Sequence, residues 1–300
     1  MINELSGVII VNKEEGLSSQ AVVSRIKRIF GVSKAGHTGT LDPMATGVLP
    51  VLVGRGVKAS EFMLTSDKHY RATLLLGITT DTEDITGNVL TKSDSIPCEC
   101  EVVGTVEKFV GESMQTPPMY SALKIGGKKL YELAREGKTV EREARKIVVY
   151  SLECTRINER EYTLDVHCSK GTYIRTLCAD IGASLGCGGV MKTLERCEAS
   201  GFALDEAHTL TEYEAMSRGE REALVIPTEQ IFKGWRGVAL SDFFSRLAHS
   251  GVELYLSKLG ISLPLGERVR LSDKDGFFAI GEVREFENGL AIKPIRQFVL

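Results

Sequence analysis

The stretch Gly36-His37-Thr38-Gly39-Thr40-Leu41-Asp42-Pro43-Met44-Ala45-Thr46-Gly47-Val48-Leu49-Pro50 sets one carboxylate among glycines, threonines and prolines. Glycine lets backbone approach a ligand closely, and threonine hydroxyls and backbone N–H groups can hold an anion in place. Pro43 biases Asp42 toward an extended backbone. Two readings follow from these residue types: an aspartate that caps a turn, or a positioned nucleophile or base. Other chemistries lack their residues. There is no phosphate-binding G-x-x-x-x-G-K-[ST], no G-x-G-x-x-G after a strand, and no H-x-x-x-H or C-x-x-C pair for a metal. The seven cysteines (Cys98, Cys100, Cys154, Cys168, Cys178, Cys187 and Cys197) form no paired framework and are read as reduced thiols of a cytoplasmic protein.

The elements that must carry this loop can be read from periodicity. Gly7–Asn12 reads as a strand. Ser18 or Ser19 can cap a helix with Val22, Val23, Ile26 and Phe30 on one face and Gly31 as its stop. Val32–Gly47 reads as a loop, Leu49–Val53 as a buried strand, Val57–Leu64 as a helix, Tyr70–Leu76 as a strand and Asp81–Gly87 as an acidic turn. Val102–Val110 reads as a helix, Lys146–Cys154 and Tyr162–Cys168 as long strands, and Tyr173–Leu185 as a helix ended by Gly186. Leu224–Gly260 reads as a connecting region with helical stretches. Beyond it Arg268–Leu271, Phe277–Val283 and Leu290–Ile295 are short β runs between turns such as Asp275-Gly276 and Asn288-Gly289. Strands and helices mix without βαβ alternation, so the class is α+β with a mostly antiparallel sheet flanked by helices. No apolar run approaches the roughly 20 residues that span a bilayer, and Met1–Leu5 lacks the basic start of a signal peptide.

The 300 residues carry 37 basic and 40 acidic side chains, a net charge of −3 that argues weakly against a surface devoted to nucleic acid. The distribution is more telling than the sum. Residues 120–146 hold Lys124, Lys128, Lys129, Arg135, Lys138, Arg142, Arg145 and Lys146 against four glutamates, with Tyr120, Tyr131 and Gly126-Gly127 among them. That pattern reads as a solvated helix or as a basic arm that closes on an anion. Residues 81–112 are strongly acidic and are expected on an outer face.

Four motifs in order carry a family resemblance. The Gly36–Leu49 stretch resembles the catalytic loop of the pseudouridine synthases that modify the T-loop uridine of tRNA, the bacterial TruB type. Lys68-His69-Tyr70-Arg71-Ala72 with Leu76–Gly87 resembles K-x-Y-x-A…L-G-x-x-T-D-T-x-D-x-x-G. Gln115–Lys124 resembles Q-x-P-P-x-x-S-A-x-K, continued by Tyr131 and Ala134–Gly137, and Cys168–Arg175 resembles C-x-x-G-T-Y-I-R. The match runs from about residue 6 to 202. A weaker one links the C-terminus to the RNA-binding PUA-like module. The chain departs from the family at Glu14 (commonly proline), at Gly56-Val57 (commonly Ala-Thr) and at Glu195 (commonly arginine).

The resemblance implies a pseudouridine synthase domain over residues 1–232, an RNA-clamping insert at about 120–146 and a PUA-like module over 233–300. The implied reaction isomerises the T-loop uridine (uridine-55) of tRNA. The N1–C1′ bond breaks, the base turns and C5 bonds to C1′, with no atoms gained, so the resemblance implies no cofactor and no metal, in keeping with the missing motifs. The resemblance makes Asp42 the essential carboxylate, whether it attacks C1′ or acts as a base on a glycal route. Arg175 is its cation partner, and Tyr70 stacks on the uracil and is placed to take the C5 proton. Tyr173 and Leu194 line the base pocket, and His37 fills the space left by the flipped base. Lys13 and Asp84 lie near the site. Lys124, Lys128, Lys129 and Arg142 contact RNA. The T-stem-loop of tRNA is then the partner of a monomer needing no protein partner. Two rivals remain: an RNA-guided relative acting inside a multiprotein particle, and an RNA-binding or RNA-folding protein without activity. The basic insert and short C-terminal module favour the stand-alone enzyme; Asp42, Tyr70 and Arg175 together favour activity.

Overall fold

The structure, a computed structural model, describes residues 5–64 and 66–298; the stretch read for a missing signal peptide lies mostly outside these residues. The chain opens with β1 (Gly7–Lys13), whose alternate side chains enter two different cores. Helix α1 (Ser19–Phe30) starts at Ser18, whose hydroxyl accepts from Ala21 N–H, and stops at Gly31 in the left-handed conformation. The expected loop that follows contains a short strand, β2 (Ala35–His37), before β3 (Thr46–Val53). The helix expected over Val57–Leu64 is a 3-10 segment, Gly54–Ala59, running into a single turn, α2 (Ser60–Met63). Gly56 is the physical reason: a Cβ there would lie 2.6 Å from the Gly7 carbonyl oxygen, so the backbone is pressed onto β1.

Next come β4 (Lys68–Leu76), a small hairpin of β5 (Ile78–Thr80) and β6 (Val89–Lys92), α3 (Glu99–Val106) and β7 (Gly111–Gln115). The basic insert folds as a hairpin, β8 (Lys124–Ile125) with β9 (Lys128–Lys129), followed by α4 (Leu130–Arg135). Long strands β10 (Arg145–Arg156) and β11 (Glu161–Cys168), helix α5 (Ile174–Ser184), and β12 (Gly189–Ala199) with β13 (Phe202–Ala203) complete the sheet. Its order is β1-β3-β12-β4-β11-β10-β7, with β2 on β3 and β13 on β12. Every pairing is antiparallel except β12 with β3. Helices α1, α3 and α5 bury Val22, Ile26, Val102, Leu177 and Ile181 on one face of it. Gly182 lets α5 sit directly on the start of β12, since a Cβ would lie 2.1 Å from Gly189 N.

Short helices α6 (Leu210–Ala215) and α7 (Arg218–Ala223) lead to a second sheet of five strands. It comprises β14 (Arg236–Ala239), β15 (Leu254–Tyr255), β16 (Arg268–Asp273), β17 (Gly276–Phe286) and β18 (Gly289–Gln297), with α8 (Asp242–His249) and α9 (Leu256–Leu259) alongside. Strands β14 and β15 lie in the region read as a connection with helices; both are too short to announce themselves. The two sheets share a core of Val8, Ile10, Val48 and Leu52 from the first, Ile280 of β17 and Phe298 just past β18 from the second, and Phe232 from the 3-10 segment Thr228–Phe232 between them. The reading of the cysteines as all reduced is corrected at one pair: Cys98 and Cys100 form a disulfide at the start of α3, while the other five are free.

Candidate active site

The loop between β2 and β3 is fixed from two sides. The Ser19 hydroxyl accepts from Leu41 N–H at 2.8 Å and donates to the Leu41 carbonyl at 3.0 Å. From beneath, the fully buried Lys13 ammonium donates to the carbonyls of Ala45 (2.5 Å), Pro43 (3.1 Å) and Glu14 (3.0 Å). Burial pushes Lys13 down to about 8, against the opposing pull of Asp42 and Glu15. Lys13 therefore positions the loop that carries Asp42. Replacing Lys13 by Met should destabilise the protein by about 2–4 kcal/mol, because buried carbonyls lose their donor. Urea unfolding measures it, and a change under about 0.5 kcal/mol would contradict this role. Gly47, at φ +99°, brings β3 against β12, because a Cβ there would lie 2.3 Å from the Arg196 carbonyl oxygen.

Arg175 projects from the first turn of α5 and is buried. Its Nε donates to Asp42 Oδ2 at 2.9 Å, and its Nη2 to the Tyr120 carbonyl at 2.7 Å and to Asp42 Oδ1 at 3.5 Å. Nη1 donates to the Thr82 carbonyl at 3.1 Å and lies 3.7 Å from Asp84 Oδ2. One planar fork thus ties together the catalytic-loop motif, the acidic turn and the root of the basic insert. Burial raises the Asp42 carboxyl above the ordinary carboxylate range, with Asp84 adding to it; Arg175 and Lys13 only partly offset this. Asp84 is engaged through both of its oxygens. It pairs with Arg175, and its Oδ1 holds the turn by accepting from Thr82 Oγ1, Thr86 N and Thr86 Oγ1.

Asp42 and Arg175 stand between two cavities. The smaller, about 330 Å³, is lined by Tyr70, Tyr173, Leu194 and Arg196 among others. Strand register makes this wall: Tyr70 of β4 faces Arg196 of β12, and Ala72 faces Leu194, so these four share a face. Burial raises the Tyr70 phenol, while the adjacent Arg196 guanidinium opposes the shift. Tyr173 is held by Gln115, which accepts from Tyr173 N–H at 2.8 Å and donates to its carbonyl at 3.1 Å. Sequence reading did not single out Gln115, Lys68 or Thr38 as site residues. The first two stand inside motif stretches, and Thr38 stands in the loop itself. Arg196, next to the departing Glu195, is likewise not singled out, yet it is 1% exposed and lines the cavity.

The larger cavity, about 790 Å³, continues past Asp42 to His37, Met44, Thr86, Tyr120, Lys129, Tyr131 and Arg135. Burial lowers the His37 imidazole, and Arg196 adds to this, so the ring is neutral at pH 7. Lys129 reaches the Tyr131 hydroxyl at 3.1 Å, and the Arg135 guanidinium lies 5.4 Å from the Tyr131 ring centre. Lys124 and Lys128 are exposed on the hairpin. Arg142 turns inward instead, donating to the Pro117 carbonyl at 2.9 Å, because it braces the base of the insert. The expectation that residues 81–112 form an outer face is corrected for its first turn. Asp84 faces Arg175, and Glu83 accepts from Thr176 Oγ1 at 2.6 Å, while Glu99, Glu101, Glu107 and Glu112 are exposed.

Residues 27–174 match the TruB family pseudouridylate synthase N-terminal domain, and residues 175–233 match the tRNA pseudouridylate synthase B C-terminal domain. A tRNA pseudouridine synthase B of Alkaliphilus oremlandii is 42% identical over 97% of this chain and 98% of its own. One of Francisella tularensis is 43% identical over 96% of this chain and 93% of its own. The chain belongs to the TruB family. Among solved structures, a Cbf5-Nop10-Gar1 complex matches with a TM-score of 0.71 and 26% identity over 98% of this chain and 85% of that one. An H/ACA RNP bound to a substrate RNA containing 2′-deoxyuridine shares the fold, with a TM-score of 0.72 and 24% identity over the same shares of the two chains.

Two departures from the TruB pattern have structural reasons. Glu195 points to the opposite side of β12 from Leu194 and Arg196 and meets Arg71 at 3.9 Å, away from the cavities. Gly56 stands where its contact with β1 leaves no room for the usual alanine. At Glu14 the Lys13 ammonium takes only the backbone carbonyl, which any residue supplies. Among the described residues no helix is long and apolar enough to cross a membrane.

Proposed function

We propose that this chain is a stand-alone tRNA pseudouridine synthase that isomerises the T-loop uridine, uridine-55, in the cytoplasm. Its family membership and full-length likeness to tRNA pseudouridine synthases B support the reaction class. The observation that carries the site is the Asp42–Arg175 pair on the wall of a cavity lined by Tyr70, Tyr173 and Leu194. The target base is flipped out of its loop, a step costing a few kcal/mol. It enters the smaller cavity and stacks on Tyr70, and His37 occupies the space it leaves. Asp42 acts on the ribose in its ionised form, oriented by Arg175. As the uracil recombines through C5, the Tyr70 hydroxyl, on the wall of the same cavity, is the group assigned to the proton that must leave.

The RNA stem follows the larger cavity, with Lys124, Lys128 and Lys129 of the insert against its phosphates. Arg142 acts there by bracing the insert. Residues 233–300 form a PUA-like module that adds RNA contact to the catalytic domain of residues 1–232. Incubating the pure, monomeric protein with an unmodified T-stem-loop RNA should give pseudouridine with no added partner. Its absence there would favour the RNA-guided or inactive rivals. Charge reversal of Lys124, Lys128 and Lys129 together should raise KM at least about tenfold and flatten its dependence on salt, with kcat nearly unchanged. An unchanged KM would remove the insert from RNA binding.

A further inference from the structure

Lys68 and Arg196 line the smaller cavity together, 9% and 1% exposed. Arg196 spends Nε on the Val48 carbonyl (2.7 Å) and Nη2 on the Gly39 carbonyl (3.1 Å), which leaves Nη1 beside Gly39 and the guanidinium facing Tyr70. Lys68 donates to the Ser66 carbonyl at 2.5 Å. Among the described residues neither forms an ion pair with a carboxylate. Asp67 pulls on Lys68 more remotely and accepts from Tyr150, and Cys168 beside it is pushed up to about 11 and stays a neutral thiol. Burial, reinforced by repulsion from Arg196, lowers Lys68 to about 8. Thr38, also lining the cavity, has a buried hydroxyl with no partner. Two buried like charges and an orphaned hydroxyl are costly unless something of opposite charge visits them. Asp42, with its own arginine, stands on the same cavity.

We propose that Lys68, Arg196 and the Thr38 hydroxyl form an anion site that holds the uracil ring after it has left the ribose. This deepens, and rests on, the reading of the cavity as the uridine pocket. When N1–C1′ breaks, its electron pair stays on the ring, and the charge spreads over N1, O2 and O4. Asp42 either bonds to C1′ or takes the C2′ proton to leave a glycal, and on both routes the ring carries one negative charge. C5 then attacks C1′ with that pair, as the C1′–Asp42 bond breaks or, on the glycal route, as Asp42 returns its proton to C2′. The C5 proton then leaves and N1 gains one, so no atom is gained or lost. Fixed donors aimed at charge that exists only after bond cleavage speed that step, and loss of one such donor costs about 10²–10³-fold in rate.

The test compares two stem-loop RNAs, with uridine or 5-fluorouridine at the target, in single turnover, following loss of the parent nucleoside by chromatography. Fluorine makes the ring a better leaving anion that needs less help. Lys68→Met should lose about 10²–10³-fold with uridine and less than about tenfold with 5-fluorouridine. Arg196→Lys, which keeps the charge but not the fork, should show the same inequality more weakly. Equal losses on the two substrates would overturn the anion site, since a misfolded or misaligned pocket slows both alike. RNA binding checks the fold of each variant, and if Lys68→Met fails it, Arg196→Lys carries the comparison. Wild-type protein that consumes neither RNA would instead overturn the functional reading itself.

Discussion

Asp42→Asn is expected to abolish pseudouridine formation, by at least about 10⁴-fold, and to leave the affinity for T-stem-loop RNA unchanged. Asparagine has the same size, and its carbonyl can still accept from Arg175 Nε, which now holds Asp42 Oδ2 at 2.9 Å. What it lacks is the negative charge that either route requires. Single-turnover conversion and a filter-binding titration separate the two effects, and conversion near the wild-type rate would remove Asp42 from the chemistry. The wild-type pH profile adds a second check. Burial raises the Asp42 carboxyl, and in the proposed reaction it is the ionised form that acts. The rate should therefore fall as pH drops through that raised value. The acid limb of kcat/KM is expected above the value of about 4 of an ordinary carboxylate.

Removing Arg175 should act on both rate and stability. Arg175→Met leaves Asp42 and the buried Asp84 without the cation they share, and it strips the Tyr120 and Thr82 carbonyls of their donor. Breaking one partner out of a buried ion pair costs about 3–5 kcal/mol, which urea unfolding would register. With that attraction gone the Asp42 carboxyl rises further, so the acid limb should move to higher pH. Arg175→Lys keeps a charge but cannot span four acceptors, and a loss of about 10²–10³-fold in kcat is expected. An acid limb that stays in place in Arg175→Met would show that Arg175 does not govern the ionisation of Asp42.

Much of the frame was legible because local signals agree with the fold. Ser18 and Gly31 bracket α1 where capping chemistry puts them, and alternation marks β4 and β11. The failures have local causes. A three-residue strand such as β2 has no periodicity to detect, and it forms because β3 lies ready to pair with it. The close approach of Gly56 to β1 is a tertiary fact that turned a helical pattern into a 3-10 segment. Asp42, Tyr70 and Arg175 were found through motif resemblance; their burial and mutual geometry were not visible in residue types. Arg196 is passed over because β12 itself is not read from the sequence, so its two sides cannot be told apart there. Only the register with Tyr70 reveals that it points inward. Lys13 was placed near the site, but its task of gripping three carbonyls depends on a chain reversal about 30 residues away.

The core shared by the two sheets bears on how the protein could be shortened or rearranged. Val8 and Ile10 press against residues of the C-terminal sheet, while Lys13, three positions farther along β1, holds the loop of Asp42. Val48 and Leu52 do the same from β3, whose first residues follow that loop directly. Cutting the chain at residue 233 would therefore uncover the flank of both strands that grip the loop. The C-terminal sheet is a buttress as well as an appendage, so domain-swap or truncation variants that look remote from the chemistry should melt earlier and turn over more slowly together.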